Sequence, residues 1–144
     1  MYDPSDGISA RICVDIDGVL VDFVNCKEDC DYFDYPKKWK KMKRLKCPVM
    51  EGAVEGMRRL KARGLYIIVY TSRVEKERAV TERWLRLHDI PYDELAMGKP
   101  SAFMYLDDRA ANFKSWDKAF AELDKRYRSI VDDSRSRGIE LDKR

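Results

Sequence analysis

The sequence predicts an α/β fold built on a parallel sheet. Hydrophobic segments of strand length alternate with segments of helical period, breakers separate them, and no internal repeat interrupts the alternation. At 144 residues the chain suits one core and a single domain, since domains typically run about 100 to 150 residues. With 44% hydrophobic and 38% charged residues it falls among folding chains rather than disordered ones.

The first strand is expected at 11 to 16, where Ile12, Val14 and Ile16 alternate. GAVEGMRRLKARG, 52 to 64, reads as a helix with Val54, Met57 and Leu60 inward and Gly64 ending it. LYIIVYT, 65 to 71, reads as a strand buried on both faces. Ser72 and Glu75 have the spacing of a capping box, and Val80, Trp84 and Leu87 mark the inner face of the helix that follows. GKP at 98 to 100 signals a loop, and AFMYLD, 102 to 107, reads as the third strand, with a short extra one at 94 to 97. From 110 onward Phe113, Trp116, Phe120, Leu123, Tyr127 and Ile130 recur at three and four, which predicts a C-terminal helix near 117 to 137. The last residues, DDSRSRGIELDKR, are expected to fray. The βαβαβ order gives the expected class: a three-layer, Rossmann-like parallel sheet with helices on both faces and a minimal insert after the first strand.

A net charge of +3 announces neither nucleic acid nor membrane. No segment approaches the roughly 18 apolar residues of a membrane span, and MYDPSDGIS lacks the regions of a signal peptide, so a cytoplasmic protein, monomer or homodimer, is expected. The four cysteines then read as reduced thiols. Cys26, Cys30 and Cys47 leave a zinc site open, though their spacing is no familiar finger pattern.

The chemistry gathers at strand ends. DIDGVLVDF, 15 to 23, sets Asp15, Asp17 and Asp22 in an apolar segment, where a carboxylate is costly unless a cation meets it. In open parallel sheets the ligand crevice lies outside the carboxyl ends of the strands. There the sequence supplies Asp15 and Asp17, then Thr71, then Asp107 and Asp108, with Lys99 on the preceding loop. The four acids are hard oxygen ligands of the kind Mg²⁺ prefers. Singly they also suit helix caps and turns, Asp17 before Gly18 for instance.

DIDGVL, a strand ending in Thr71, Lys99 in GKP and the YLDDR segment resemble, in their usual order, the four motifs of the haloacid dehalogenase superfamily. The resemblance covers about residues 11 to 116 and, in motif style, is closest to deoxyribonucleotidase-like and polynucleotide phosphatase-like members. It implies a Mg²⁺-dependent phosphatase in which Asp15 is the nucleophile and forms an aspartyl phosphate. Asp17 would protonate the leaving alcohol and then activate water, its backbone carbonyl on the metal. Thr71 would bind a phosphoryl oxygen, and Lys99 would bridge that group and Asp15. Asp108 would complete the metal shell, with Asp107 acting through water. Asp17 disfavours dehalogenase chemistry, whose practitioners resemble the family in the nucleophile but lack this second acid.

Arg73, beside Ser72 at the same strand end, could fork onto a substrate phosphate or form a surface ion pair. Between Phe23 and Pro48 lies an insert of about residues 24 to 48, short for a cap. Its KKWKKMKRLK, 37 to 46, has seven basic residues in ten, preceded by Tyr32, Phe33 and Tyr35. Lysines that track a polyanion and aromatics that stack on bases would suit a nucleotide or a nucleic-acid 3′-phosphate. A solvated lid helix accounts for the same stripe. A small-metabolite or sugar-phosphate phosphatase, and a non-catalytic phosphate- or partner-binding module on the same fold, are the competing functions. A phosphotransferase is disfavoured because shielding the intermediate from water would need a larger lid.

Overall fold

The structure, a computed structural model, describes residues 11 to 25, 45 to 136 and 138. β1 (Arg11–Val14), α1 (Ala53–Ala62), β2 (Tyr66–Tyr70), a 3₁₀ turn (Glu75–Glu77), α2 (Arg78–Leu87), β3 (Glu94–Ala96) and α3 (Trp116–Ser136) follow in order. The three strands form one parallel sheet in the order β1-β2-β3. A mixed α/β fold with a parallel sheet is therefore present, as the alternation predicts.

Register divides the sheet into two unlike faces. Ile12 pairs with Ile67, Val14 with Val69, and Val69 in turn with Leu95. Of these, Val14, Ile67, Val69 and Leu95 are buried. The opposite face carries Cys13, Tyr66, Ile68, Tyr70 and Glu94, all half-buried or exposed. Both crossovers step in the same direction, so the right-handed rule sets α1 and α2 on one face, which is the buried one. The expectations of a β2 buried on both faces and of helices on both sides thus hold for one face among the described residues.

α1 ends as its sequence predicts. Gly64 adopts φ +80°, donating its N–H to Lys61 O while Leu65 N–H reaches Leu60 O, the paired bonds of a Schellman cap. Its buried side contains Gly56, Met57 and Leu60. Gly56 is a matter of space: a Cβ there would come within 2.3 Å of the Trp116 ring, so α3 lies directly against this turn of α1. Phe120 follows on α3, with the Arg59 guanidinium 3.8 Å from its ring centroid.

Three local expectations are corrected. No capping box forms at Ser72, because the 3₁₀ turn begins only after the extended Val74, and Glu75 instead pairs with Arg78 at 2.7 Å. The inner face of α2 is Val80, Thr81, Trp84 and Leu85, while Leu87, in the last turn, is exposed. The third strand is 94 to 96 rather than 102 to 107. Segment 102 to 107 makes no sheet pairing and is exposed throughout, with Phe103 fully in solvent and Leu106 at 89% exposure. Residues 94 to 96 pair with the edge of β2 left free by β1, whereas 102 to 107 pairs with no described strand. Its hydrophobic pattern is real, and β1 keeps its outer edge unpaired among the described strands.

The insert begins and ends at one point. Asp22 N–H bonds Pro48 O at 2.9 Å, and Met50 N–H bonds Leu20 O at 2.8 Å, so the chain leaves and rejoins the core between residues 22 and 48. Tyr32, Phe33, Tyr35, Cys26, Cys30 and nearly all of the basic stripe lie outside the described residues. Cys47 is buried, and its carbonyl accepts the Trp84 Nε1–H at 2.9 Å.

Candidate functional site

The segment after β1 turns sharply. Ile16 O accepts N–H groups from Val19, Leu20 and Val21 at 2.8 to 3.1 Å, and Gly18 N–H returns to Val21 O at 3.0 Å. Gly18 takes φ +88° with the Phe23 ring 3.1 Å from where a Cβ would sit, so a side chain here would be strained twice. Ile16 and Leu20 anchor the turn in the core, which leaves Asp15 and Asp17 at its mouth. The alternation of apolar and acidic residues in DIDGVL is thus a turn with its apolar residues inward.

β2 ends at Tyr70, and Thr71 and Arg73 follow. β3 ends at Ala96, and Lys99 follows. These two loops are laced together: Thr71 N–H bonds Ala96 O at 3.0 Å, Lys99 N–H bonds Thr71 O at 2.8 Å, and Gly98 N–H bonds Arg73 O at 2.9 Å. Carboxyl ends of three successive strands therefore present Asp15 and Asp17, Thr71 and Arg73, and Lys99 at one end of the sheet. That is where a parallel sheet collects ligands.

Lys99 Nζ lies 3.6 Å from Asp15 Oδ2, and Ile16 N–H donates to Asp15 Oδ1 at 2.8 Å. Burial pushes the Asp15 carboxyl above the usual range, opposed chiefly by the positive charge of Lys99. Lys99 itself is flanked by aromatic rings, its Nζ 5.1 Å from the Tyr70 centroid and 4.5 Å from that of Tyr105. The Tyr105 hydroxyl donates to Pro100 O, which folds the tyrosine back over the lysine.

Asp17 meets an arginine. Arg73 Nε donates to Asp17 Oδ2 at 3.0 Å and Nη2 to Oδ1 at 2.7 Å, while Nη1 donates to Thr81 Oγ1 at 3.0 Å. The Arg73 side chain is 3% exposed and that of Asp17 21%. Arg73 is thus a buried clamp on Asp17 rather than a surface ion pair. Thr71 is fully buried and its Oγ1 accepts the Arg73 backbone N–H at 3.1 Å, which leaves the hydroxyl proton to donate. Ser72 is half-buried on the same loop.

The four acids expected to share a metal are not gathered. Asp107 and Asp108 lie in the exposed segment, where Asp107 Oδ1 accepts the Arg109 N–H at 2.8 Å. Among the described residues no group of three acidic, histidine or cysteine side chains could hold an ion. As placed, Asp107 and Asp108 lie apart from Asp15 and Asp17, on an exposed segment outside the sheet. Sequence missed the clamp for a different reason: Thr81 lies on the next helix, and only folding brings it to Arg73. Asp22 caps a turn, accepting from Asn25 N–H at 3.2 Å and Asn25 Nδ2 at 2.7 Å.

No helix among the described residues is long and apolar enough to cross a membrane. No protein-family model matches the chain, and no curated protein matches it. A crystal structure of a protein from Vibrio cholerae is similar in fold, with a TM-score of 0.51 and 25% identity, over 71% of this chain and 82% of that one.

Proposed function

We propose that the chain is a phosphomonoesterase with a Rossmann-like fold of the haloacid dehalogenase type, Asp15 being its nucleophile. The observation that supports this most is the 3.6 Å approach of Lys99 Nζ to Asp15 Oδ2 at the common end of three parallel strands. A carboxylate fixed by a backbone N–H on one oxygen, and facing an ammonium with the other, is oriented for attack beside a charge suited to phosphoryl oxygens.

In this reading Asp15 attacks phosphorus, the bond to the leaving oxygen breaks, and Asp17 gives that oxygen a proton. Asp17 then takes a proton from the water that hydrolyses the aspartyl phosphate, releasing inorganic phosphate and restoring Asp15. Thr71 donates to a phosphoryl oxygen and Lys99 balances its charge. Mg²⁺ is the proposed cofactor, supplying charge neutralisation when bound. Asp15, the Asp17 carbonyl and Asp108, with Asp107 through water, would hold it once 102 to 107 lies along the outer edge of β1. The exposed apolar residues of that segment, and an outer edge of β1 that no other described strand takes, support such a pairing.

For substrate we favour a nucleotide or a nucleic-acid 3′-phosphate, on the strength of the basic and aromatic insert. A small-metabolite phosphate is separated from it by comparing substrates with and without the 37 to 46 lysines. One observation favours a second reading, phosphate binding without turnover: both Asp17 oxygens are occupied by Arg73. Hydrolysis of an aryl phosphate decides between them. The phosphatase reading expects turnover that needs Mg²⁺ and is lost on chelation and in Asp15→Asn; binding without turnover, or turnover that survives both, overturns it.

A further inference from the structure

We propose that Arg73 is a positioning residue that fixes the Asp17 carboxylate and acts on catalysis only through it. The inference rests on the phosphatase reading, in which Asp17 serves the leaving group and the water. Its basis is geometric. Nε and Nη2 take one Asp17 oxygen each, and the third contact, Nη1 to Thr81 Oγ1, ties the guanidinium to a hydroxyl that is itself fully buried. The plane of the fork is therefore set by α2, and the plane of the carboxylate by the fork.

The backbone holds the same residue from the other side. Arg73 N–H is donated to Thr71 Oγ1, and Arg73 O receives the Gly98 N–H, so the loop that carries the fork also carries Thr71 and abuts that of Lys99. A shift of Arg73 would move Asp17 relative to the other groups of the site. Direct contact with a substrate phosphate is the competing role, and it is opposed by the use of all three guanidinium nitrogens within the protein. Lysine could not take its place: an ammonium is a point charge without the fork.

A double-mutant cycle on aryl phosphates with leaving groups of graded acidity tests this. Arg73→Lys is expected to lower kcat about tenfold or more with KM unchanged, losing most with the poorest leaving groups, the same trend as Asp17→Asn. In the Asp17→Asn background the same change should alter kcat less than about twofold, because its only route of action has gone. Losses that multiply, or a rise in KM at unchanged kcat, would show Arg73 acting on substrate and overturn the proposal. Should circular dichroism show Arg73→Lys unfolded, Thr81→Val loosens the fork instead. It should lower kcat with Asp17 present and leave it unchanged in Asp17→Asn; no effect in either background also overturns the proposal. A wild-type protein without phosphatase activity refutes the underlying reading and the proposal with it, whereas a multiplicative cycle refutes the role of Arg73 alone.

Discussion

Lys99 reaches Asp15 across the sheet: its loop follows β3, the aspartate follows β1, and β2 lies between, yet Nζ and Oδ2 are 3.6 Å apart. The Tyr70 and Tyr105 rings flank the ammonium, so its stem has little freedom. Lys99→Met keeps length and removes charge. It should lower kcat on an aryl phosphate about 100-fold, the scale on which a fixed electrostatic group acts in a transition state, and steady-state kinetics would read it.

The two partners of the clamp should not be equal in stability. Asp17→Ala leaves a guanidinium that is 3% exposed without its counter-charge, whereas Arg73→Met leaves a carboxylate that is 21% exposed and can still reach water. Asp17→Ala should therefore approach the roughly 3 to 5 kcal/mol of a broken buried pair, with Arg73→Met below it. Urea denaturation of both variants gives the order, and the reverse order would contradict it.

Gly56 packs beneath Trp116, and a methyl group there would lie within 2.3 Å of the ring. Gly56→Ala should destabilise by about 1 to 3 kcal/mol despite the better helix propensity of alanine, because α3 must move. Tryptophan fluorescence against urea would show a lower midpoint.

Asp93 carries the pH dependence easiest to isolate. Lys61 Nζ donates to both its oxygens at 2.7 and 2.8 Å, and Ile67 N–H donates at 2.7 Å, which together hold its carboxyl below the usual range, the Lys61 bond most. A depressed folded-state value means that the contribution is present above the ordinary carboxylate value near 3.8 and is lost as pH falls through the lower folded one. Asp93→Asn should thus destabilise at neutral pH, and its deficit should shrink as the pH falls below that ordinary value. Thermal melts at both pH values would show it; a deficit that grows on acidification would contradict it.

Segment 102 to 107 supplies a test of assembly. Leu106 is 89% exposed, so Leu106→Asp should leave the melting temperature of the metal-free protein nearly unchanged. If the segment pairs with β1 to complete the metal site, the same change should abolish the stabilisation that Mg²⁺ with phosphate confers on the wild type.

The sequence made the alternation legible because each period is local: 53 to 62 and 66 to 70 fall where periodicity puts them, and Gly64 ends α1 as expected. Asp15, Asp17, Thr71 and Lys99 were legible through spacing at strand ends, and the fold brings them to one end of the sheet. What could not be read was competition between segments. Residues 102 to 107 have the better strand pattern, yet 94 to 96 pairs with β2 and 102 to 107 with no described strand. The cation that meets Asp17 was likewise hidden, since Arg73 earns that position through Thr81, a contact no sequence period encodes.

The central claim is that Asp15 is a nucleophile, and its phosphorylated form can be looked for directly. The protein, incubated with an aryl phosphate and Mg²⁺, is quenched in acid, digested and analysed by mass spectrometry. The account predicts one phosphoryl group on the peptide that contains Asp15, absent from Asp15→Asn. Hydrolysis that proceeds with no label on that peptide, and continues in Asp15→Asn, would contradict it.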